Sequence, residues 1–205
     1  MKQVFFILAL LFAFSGTAQQ SQNNNYGKIG LTYSSFGTND IIRFQELDGA
    51  ASYNSKNFFV FGLNYVSPLN TWLSIETGLE YAKHTITVNP NLPPDVDDTA
   101  YDADLAFLEI PVSVRADFLK FFFVNLGLIT DFDISNNSPV DNQTGIGLIA
   151  GIAAKYDFKF GLSLFINPYL KAHALIPFTN NNYQQHMMES GFRFGITYEL
   201  KKKQG

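Results

Sequence analysis

The chain has 205 residues and a formal net charge of −4 at neutral pH. Charged and aromatic residues each make up 16% of it, and it contains no cysteine. The acidic balance and the lack of a basic stripe argue against a nucleic-acid partner, and the lack of cysteine excludes disulfides, thiolate metal sites and thiol nucleophiles.

The first predicted element is an amino-terminal secretory signal, residues 1–18. Lys2 precedes an apolar run at 4–14, and residues 16–18 are the small residues that a signal peptidase reads. The apolar run is too short to cross a membrane as a helix. We expect cleavage after residue 18, which leaves 19–205 as one domain.

The rest of the chain alternates apolar and polar side chains with a period of two, which is the pattern of β-strands. In Phe107 to Phe118, FLEIPVSVRADF, every second residue from Leu108 is apolar, and Glu109 and Arg115 lie among the residues between. Eight segments alternate in this way, near residues 26–34, 57–66, 72–88, 107–118, 121–134, 144–157, 159–175 and 187–200. We therefore predict an all-β chain with almost no helix.

Long and short connections alternate between these segments. The long ones lie near 35–56, 89–104, 135–143 and 176–186, and the short ones near 67–71, 119–120 and 157–159. Transmembrane barrels have short periplasmic turns and longer external loops. The sequence thus predicts an eight-stranded antiparallel up-and-down transmembrane β-barrel, with its apolar face toward lipid and its charged face toward the lumen.

Small and aromatic residues support this orientation. The polar face is rich in glycine, which makes room for long side chains in a narrow interior. Aromatic residues on the apolar face cluster near the short turns, where an interfacial girdle is expected. The inner girdle would comprise Tyr65, Phe118, Phe122, Tyr156, Phe158, Phe160 and Tyr198, and the outer one Tyr33, Phe59, Tyr81 and Phe132.

The segment FLEIPVSVRADF resembles the "YLEIP" strand of outer-membrane barrel proteins of the Bacteroidota that are described as PorT-like. The TAQQ that ends the signal region and the closing GFRFGITYEL are also similar to that family. The resemblance implies an OmpA-like eight-stranded barrel in the cell outer membrane. It also implies a link to protein secretion, which some members have.

The predicted lumen face carries twelve charged residues: Lys28, Glu76, Glu80, Glu109, Arg115, Asp117, Asp131, Lys155, Lys171, Glu189, Arg193 and Glu199. Charges in a narrow interior must pair, because an unpaired buried charge is costly. We select seven as a structural charge cluster: Glu76, Glu80, Glu109, Arg115, Asp117, Lys155 and Arg193.

Strand adjacency suggests partners within this cluster. Glu76 can pair with Arg115 on the next strand, and Arg193 can reach across the ring to Glu80 or Glu109. We interpret the cluster as a static plug that fixes strand register and blocks flow, in preference to a gate. We expect no cofactor and no metal.

Two other functional classes would need different patterns in the sequence. A lipid-modifying barrel enzyme needs a Ser and a His on neighbouring strands at the lipid face, with a carboxylate behind the His. We place His84 and His173 on the lumen side and His186 in a loop, and no Ser stands beside them on the lipid face. A secreted lipocalin-like carrier needs its apolar side chains inside.

The predicted external loops are candidates for partner binding. One collects five carboxylates, Asp95, Asp97, Asp98, Asp102 and Asp104. It lacks the twelve-residue calcium-loop pattern, so we interpret it as a solvated acidic loop.

The first long loop contains the apolar pair Ile41-Ile42, a pointer to a contact surface.

We predict a non-enzymatic structural or interaction role: envelope integrity, loop-mediated binding or assistance to a secretion machine. The expected partners are outer-membrane lipid and an envelope or secretion-machinery protein, reached through the loops.

Overall fold

The computed structural model describes residues 25–43, 51–91, 99–136, 138–179 and 184–201. These residues form eight strands, β1 (Asn25–Arg43), β2 (Ser52–Pro68), β3 (Leu73–Asn89), β4 (Tyr101–Phe118), β5 (Phe122–Asp133), β6 (Gly145–Asp157), β7 (Leu162–Pro177) and β8 (Gln185–Lys201). Sequential strands pair antiparallel, and β1 pairs with β8 to close a barrel. The eight-stranded antiparallel prediction is confirmed. The predicted signal, residues 1–18, lies outside the described residues.

The exposure of β4 shows which face points outward. Ile110, Val112 and Val114 are 38%, 50% and 51% exposed, whereas Glu109 is 0% and Arg115 is 3% exposed. The apolar face of the strand therefore lies outside and its charged face lies in the lumen. A soluble carrier has the opposite arrangement, so the carrier alternative does not fit this barrel.

Several strands are longer at their outer ends than the sequence predicts. Residues 35–56 were expected to be a loop, but β1 continues to Arg43 and pairs with β8 up to Gln185. A register shift between Ser34 and Phe36 breaks the alternation at this point, which hides the rest of the strand from a period-two search. β4 likewise begins at Tyr101 instead of near 107.

These extensions form a part of the barrel that we call the outer section. Its interior is an apolar cluster of Phe58, Val60, Ala82, Ile86, Val88, Leu105, Phe107, Val140 and Met187. Its outward side chains are polar and include Lys56, Lys83, Thr85, Thr87, Asp102 and Asp104. We call the remainder, from the level of Glu80 and Glu109 to the inner turns, the membrane section.

Ile41, which the sequence suggested as a partner contact, packs against the apolar cluster of the outer section. Its apolar character is thus explained by the interior of the barrel.

Glycines make room for large lumen side chains, as predicted. A Cβ on Gly195 would lie 2.1 Å from the ring of Phe165, and one on Gly62 would lie 2.8 Å from Cγ of Glu80. The lumen therefore contains aromatic rings as well as charges.

No helix in the described part of the chain is long and apolar enough to cross a membrane.

Candidate functional site in the barrel lumen

The seven charged residues selected from the sequence all point into the lumen. Five are buried, Glu76, Glu80, Glu109, Arg115 and Arg193, and two are partly buried, Asp117 and Lys155. They reach the lumen because each occupies an alternate position on its strand, opposite the lipid-facing residues. They belong to one network that runs along the barrel axis.

The inner end of the network is built around two aspartates. Lys155 Nζ lies 2.6 Å from Asp117 Oδ1 and 3.2 Å from Asp157 Oδ2. Arg115 Nη2 lies 3.3 Å from the same Asp117 oxygen, and Lys28 Nζ lies 2.8 Å from Asp157 Oδ1. A small cavity of about 80 Å³ opens beside these residues at the inner mouth.

The middle of the network contains the two arginines. Arg115 Nη1 lies 3.8 Å from Glu76, and Arg193 bridges Glu76 and Glu80 at 3.5 Å each. The Arg115 guanidinium also stacks 3.5 Å from the ring centroid of Phe123. The predicted Glu76–Arg115 pair and the Arg193–Glu80 pair both form, whereas the ion pairs of Arg193 among the described residues do not include Glu109.

Lys171 is the centre of the network, although the sequence selection of seven did not include it. Its ammonium donates to Glu80 at 2.8 Å and to Glu109, and it lies 3.9 Å from Glu189. The Tyr169 hydroxyl donates a hydrogen bond to Oε1 of Glu189, which is the oxygen nearest Lys171. Lys171 and Glu189 lie directly opposite each other on β7 and β8. Aligning these two predicted strands would have been enough to identify this pair of opposite charges.

Two histidines close the outer end of the network, His84 from β3 and His173 from β7. Nδ1 of His173 lies 3.1 Å from Asp131, and Nε2 of His84 lies 3.3 Å from Glu189. The Phe107 ring packs against both imidazoles, with centroid distances of 5.4 Å to His84 and 5.5 Å to His173. His84 and His173 therefore form the boundary between the charged lumen and the apolar cluster.

The prediction that His186 lies in a loop is wrong. It lies in β8, where it is buried and its Nδ1 is 2.9 Å from the carbonyl oxygen of Ala174. The strand begins at Gln185 because its first residues pair with the extended end of β1.

Charges on the outer section pair on its surface. Lys83 Nζ lies 2.8 Å from Asp104, and this hydrogen bond holds the pKa of the Asp104 carboxyl below its usual value. The hydrogen bond from Lys56 lowers the pKa of Asp102 in the same way. Two of the five carboxylates of the predicted acidic loop thus belong to paired strand residues, and the other three lie outside the described residues.

Comparison with known proteins agrees with this geometry. Residues 6–199 match the family model described as outer membrane protein beta-barrel domain. No curated protein matches the chain.

The solved structures that are similar to this chain include two outer-membrane proteins. For outer membrane protein OprG from Pseudomonas aeruginosa the TM-score is 0.51 at 13% identity, over 89% of this chain and 100% of that one. For outer membrane protein AlkL, solved by solid-state NMR in DMPC lipid bilayers, the TM-score is 0.57 at 8% identity, over 91% of this chain and 96% of that one. At these identities the likeness concerns the fold alone.

Proposed function

The chain belongs to the outer membrane protein beta-barrel domain family, and from that premise we propose that it is a closed, non-enzymatic barrel that serves the envelope as a structural and protein-binding element. The family and the barrel architecture assign it to the outer membrane. The finer points, export by a cleaved signal at residues 1–18 and a PorT-like role beside a secretion machine, rest on the signal pattern and on the FLEIPVSVRADF resemblance.

One observation carries the proposal of a closed barrel: the continuous ion-pair network that crosses the lumen. Lys171 contacts carboxylates from β3, β4 and β8 at once, and Arg193 joins β8 to β3. Opening a passage would separate these pairs inside a low-dielectric interior, which leaves charges unpaired at high cost. The network therefore favours a permanent plug.

The position of the histidines supports a role without catalysis. The chain has three histidines, and all of them are buried inside the barrel at 0–6% exposure. A hydrolase acting on membrane lipid would need such a base at the lipid face beside a serine. The lumen histidines instead contact carboxylates and phenylalanine rings.

The outer section supports the protein-binding part of the proposal. Its strands carry polar outward side chains from Lys83 to Asn89, and these extend beyond the apolar belt by roughly 15–20 Å at the usual strand rise and tilt. A rigid polar wall of this height presents a surface to other envelope proteins. Loops positioned by such a scaffold are common binding sites.

A liposome flux assay tests the closed state. Wild-type barrels should not pass small ions, and Arg193→Leu should also stay closed while melting at a lower temperature, because Glu76 and Glu80 lose a buried partner. Arg193→Lys, which keeps the charge, serves as the matched control. Ion flux through the wild type, or flux that appears only in Arg193→Leu, would contradict the plug.

Site-specific photocrosslinking in native membranes tests the binding role. A crosslinker at Thr87, on the outer section, should capture a protein, whereas one at Leu126, on the lipid-facing side of β5, should capture lipid. Equal capture of lipid at both positions would show that the outer section is not a protein-binding surface.

A further inference from the structure

Two carboxylates at the outer end of the lumen network, Glu109 and Glu189, each accept hydrogen bonds from the described residues through only one of their two oxygens. The Lys171 ammonium pairs with Oε2 of Glu109 and lies 3.9 Å from Oε1 of Glu189. The other oxygens, Oε1 of Glu109 and Oε2 of Glu189, are fully buried and make no hydrogen bond among the described residues. Buried carboxylate oxygens are normally satisfied, so each needs an explanation.

The imidazole nitrogens beside these oxygens also lack a hydrogen bond of good geometry. Among the described residues, neither ring nitrogen of His84 makes a hydrogen bond, and Nε2 of His173 makes none either. Both histidines are 0% exposed. Nδ1 of His173 is engaged by Asp131 at 3.1 Å, an arrangement that fixes the ring and leaves Nε2 available as a ligand.

The spacing of these donor atoms is close to that of ligands around one metal ion. Glu189 Oε2 lies 3.3 Å from Nε2 of His84 and 3.7 Å from Nε2 of His173. In a tetrahedral zinc site with bonds of about 2.0–2.2 Å, neighbouring donor atoms lie about 3.3–3.6 Å apart. Donor atoms of His84, Glu109 and Glu189 all lie within 4.8 Å of one another.

The charge balance of the buried network favours a divalent cation. Among the described residues five carboxylates are buried, Glu76, Glu80, Glu109, Asp131 and Glu189, against three permanent cations, Arg115, Lys171 and Arg193. Five negative and three positive charges leave a formal charge of −2 when the imidazoles are neutral. One divalent ion would cancel it, and uncompensated buried charge is costly.

We propose that the outer end of the lumen holds a divalent transition metal, bound by His84, Glu109 and Glu189 with His173 as a fourth donor. Imidazole and carboxylate ligands suit zinc and its first-row neighbours. The apolar cluster lies on one side of the site and the arginine pairs lie on the other, so the metal is sealed in the folded barrel. It joins β3, β4, β7 and β8 as a structural centre.

Refolding with a defined metal tests the site. Barrel purified from membranes is unfolded with chelator, refolded into detergent with Zn²⁺, and then treated with EDTA while folded. The wild type should retain about one zinc per chain by mass spectrometry of the metal, because a buried structural site forms on folding and closes over its ion. Refolding with Co²⁺ should give the intense visible bands of tetrahedral coordination, which also survive EDTA.

Variants locate the metal. His84→Gln and Glu189→Gln should lower retained zinc at least about tenfold, since each removes one of the donors. His186→Gln, which alters a buried histidine outside the site, should retain the wild-type amount. Heat-dependent migration on gels reports whether each variant has folded.

Three results would overturn the proposal. The first is a wild type that retains no zinc, as expected if protonated imidazoles neutralise the network. The second is zinc retention by folded His84→Gln equal to that of the wild type, which would place the metal elsewhere. The third is octahedral or EDTA-labile cobalt in the wild type. This spectrum also decides the question if His84→Gln fails to fold.

Discussion

The outer section and the membrane section of this barrel share the same strands but have opposite polarity. In the membrane section of β3, Glu76 and Glu80 point inward, and Leu79 and Tyr81 point outward. Farther along the same strand, in the outer section, Ile86 and Val88 point inward, and Thr85 and Thr87 point outward. The alternation itself is unbroken. A period of two therefore specifies a strand, while the solvent around each stretch decides which face is apolar.

The two sections are stabilised in different ways. The outer section is held like a soluble protein, by burial of apolar side chains from the water around it. In the membrane section lipid is as apolar as any core, so the lumen relies on packing, hydrogen bonds and ion pairs to hold the strands in register. His84 and His173 lie at the boundary between the apolar interior of the outer section and the ion-paired lumen of the membrane section.

Removing the central cation should have the largest effect. Lys171→Met leaves Glu80 and Glu109 buried without their ammonium partner, and breaking such a pair costs about 3–5 kcal/mol. We expect a large loss of folded barrel, measured by urea unfolding in lipid vesicles and by heat-dependent migration on gels.

The outer-section lysine provides the matched control for that change. Lys83 is 41% exposed at its side chain and pairs with Asp104 on the surface, so Lys83→Met should leave the unfolding curve nearly unchanged, as is usual for an exposed ion pair. If the two variants destabilise the barrel equally, the distinction between the sections is wrong.

The fold was predictable from the sequence because lipid-facing and lumen-facing residues alternate strictly in the membrane section. The apolar series Ile110, Val112 and Val114, flanked by Glu109 and Arg115, indicated both the strand and its orientation. The outer part of β3 was predicted as strand, whereas the outer ends of β1 and β4 were assigned to loops. In β1 a register shift at Ser34–Phe36 breaks the alternation, and in β4 the polarity reverses in a way that a uniform membrane pattern does not contain.

The site was predictable only in part, for a geometric reason. Alternation identified the lumen charges, and adjacent strands identified the Glu76–Arg115 pair. The contacts of Lys171 with Glu80 and Glu109 cross the lumen from β7 to β3 and β4, and such contacts depend on the tilt and stagger of the closed barrel. The aromatic rings of Phe123 and Phe165 were also missed, because the lumen face was expected to be polar.

A charge on the outward surface should distinguish the sections with an intermediate effect. Leu126 is 64% exposed on the outside of β5, and Leu126→Arg should cost about 2–4 kcal/mol in a bilayer, as arginine does near the midplane of a barrel. Thr87→Arg, on the outside of the outer section, should cost little because that position faces water. Urea unfolding of both variants in the same vesicles makes the comparison, and an equal cost at both positions would place the outer section in lipid as well.

The smallest expected effect is at the surface pair of the outer section, and its sign follows from the pKa of Asp104. The hydrogen bond from Lys83 lowers this pKa from the ordinary value of 3.8, so the pair stabilises the fold above that pH and the contribution is lost as pH falls through the lowered value. Asp104→Asn should therefore lower the melting temperature at pH 7 by less than about 2 °C, since exposed pairs contribute little. The difference from the wild type should vanish in acid and shrink in high salt. A large difference that persists in acid would mean that Asp104 is buried in a low-dielectric environment, which would extend the membrane section to the outer ends of β3 and β4.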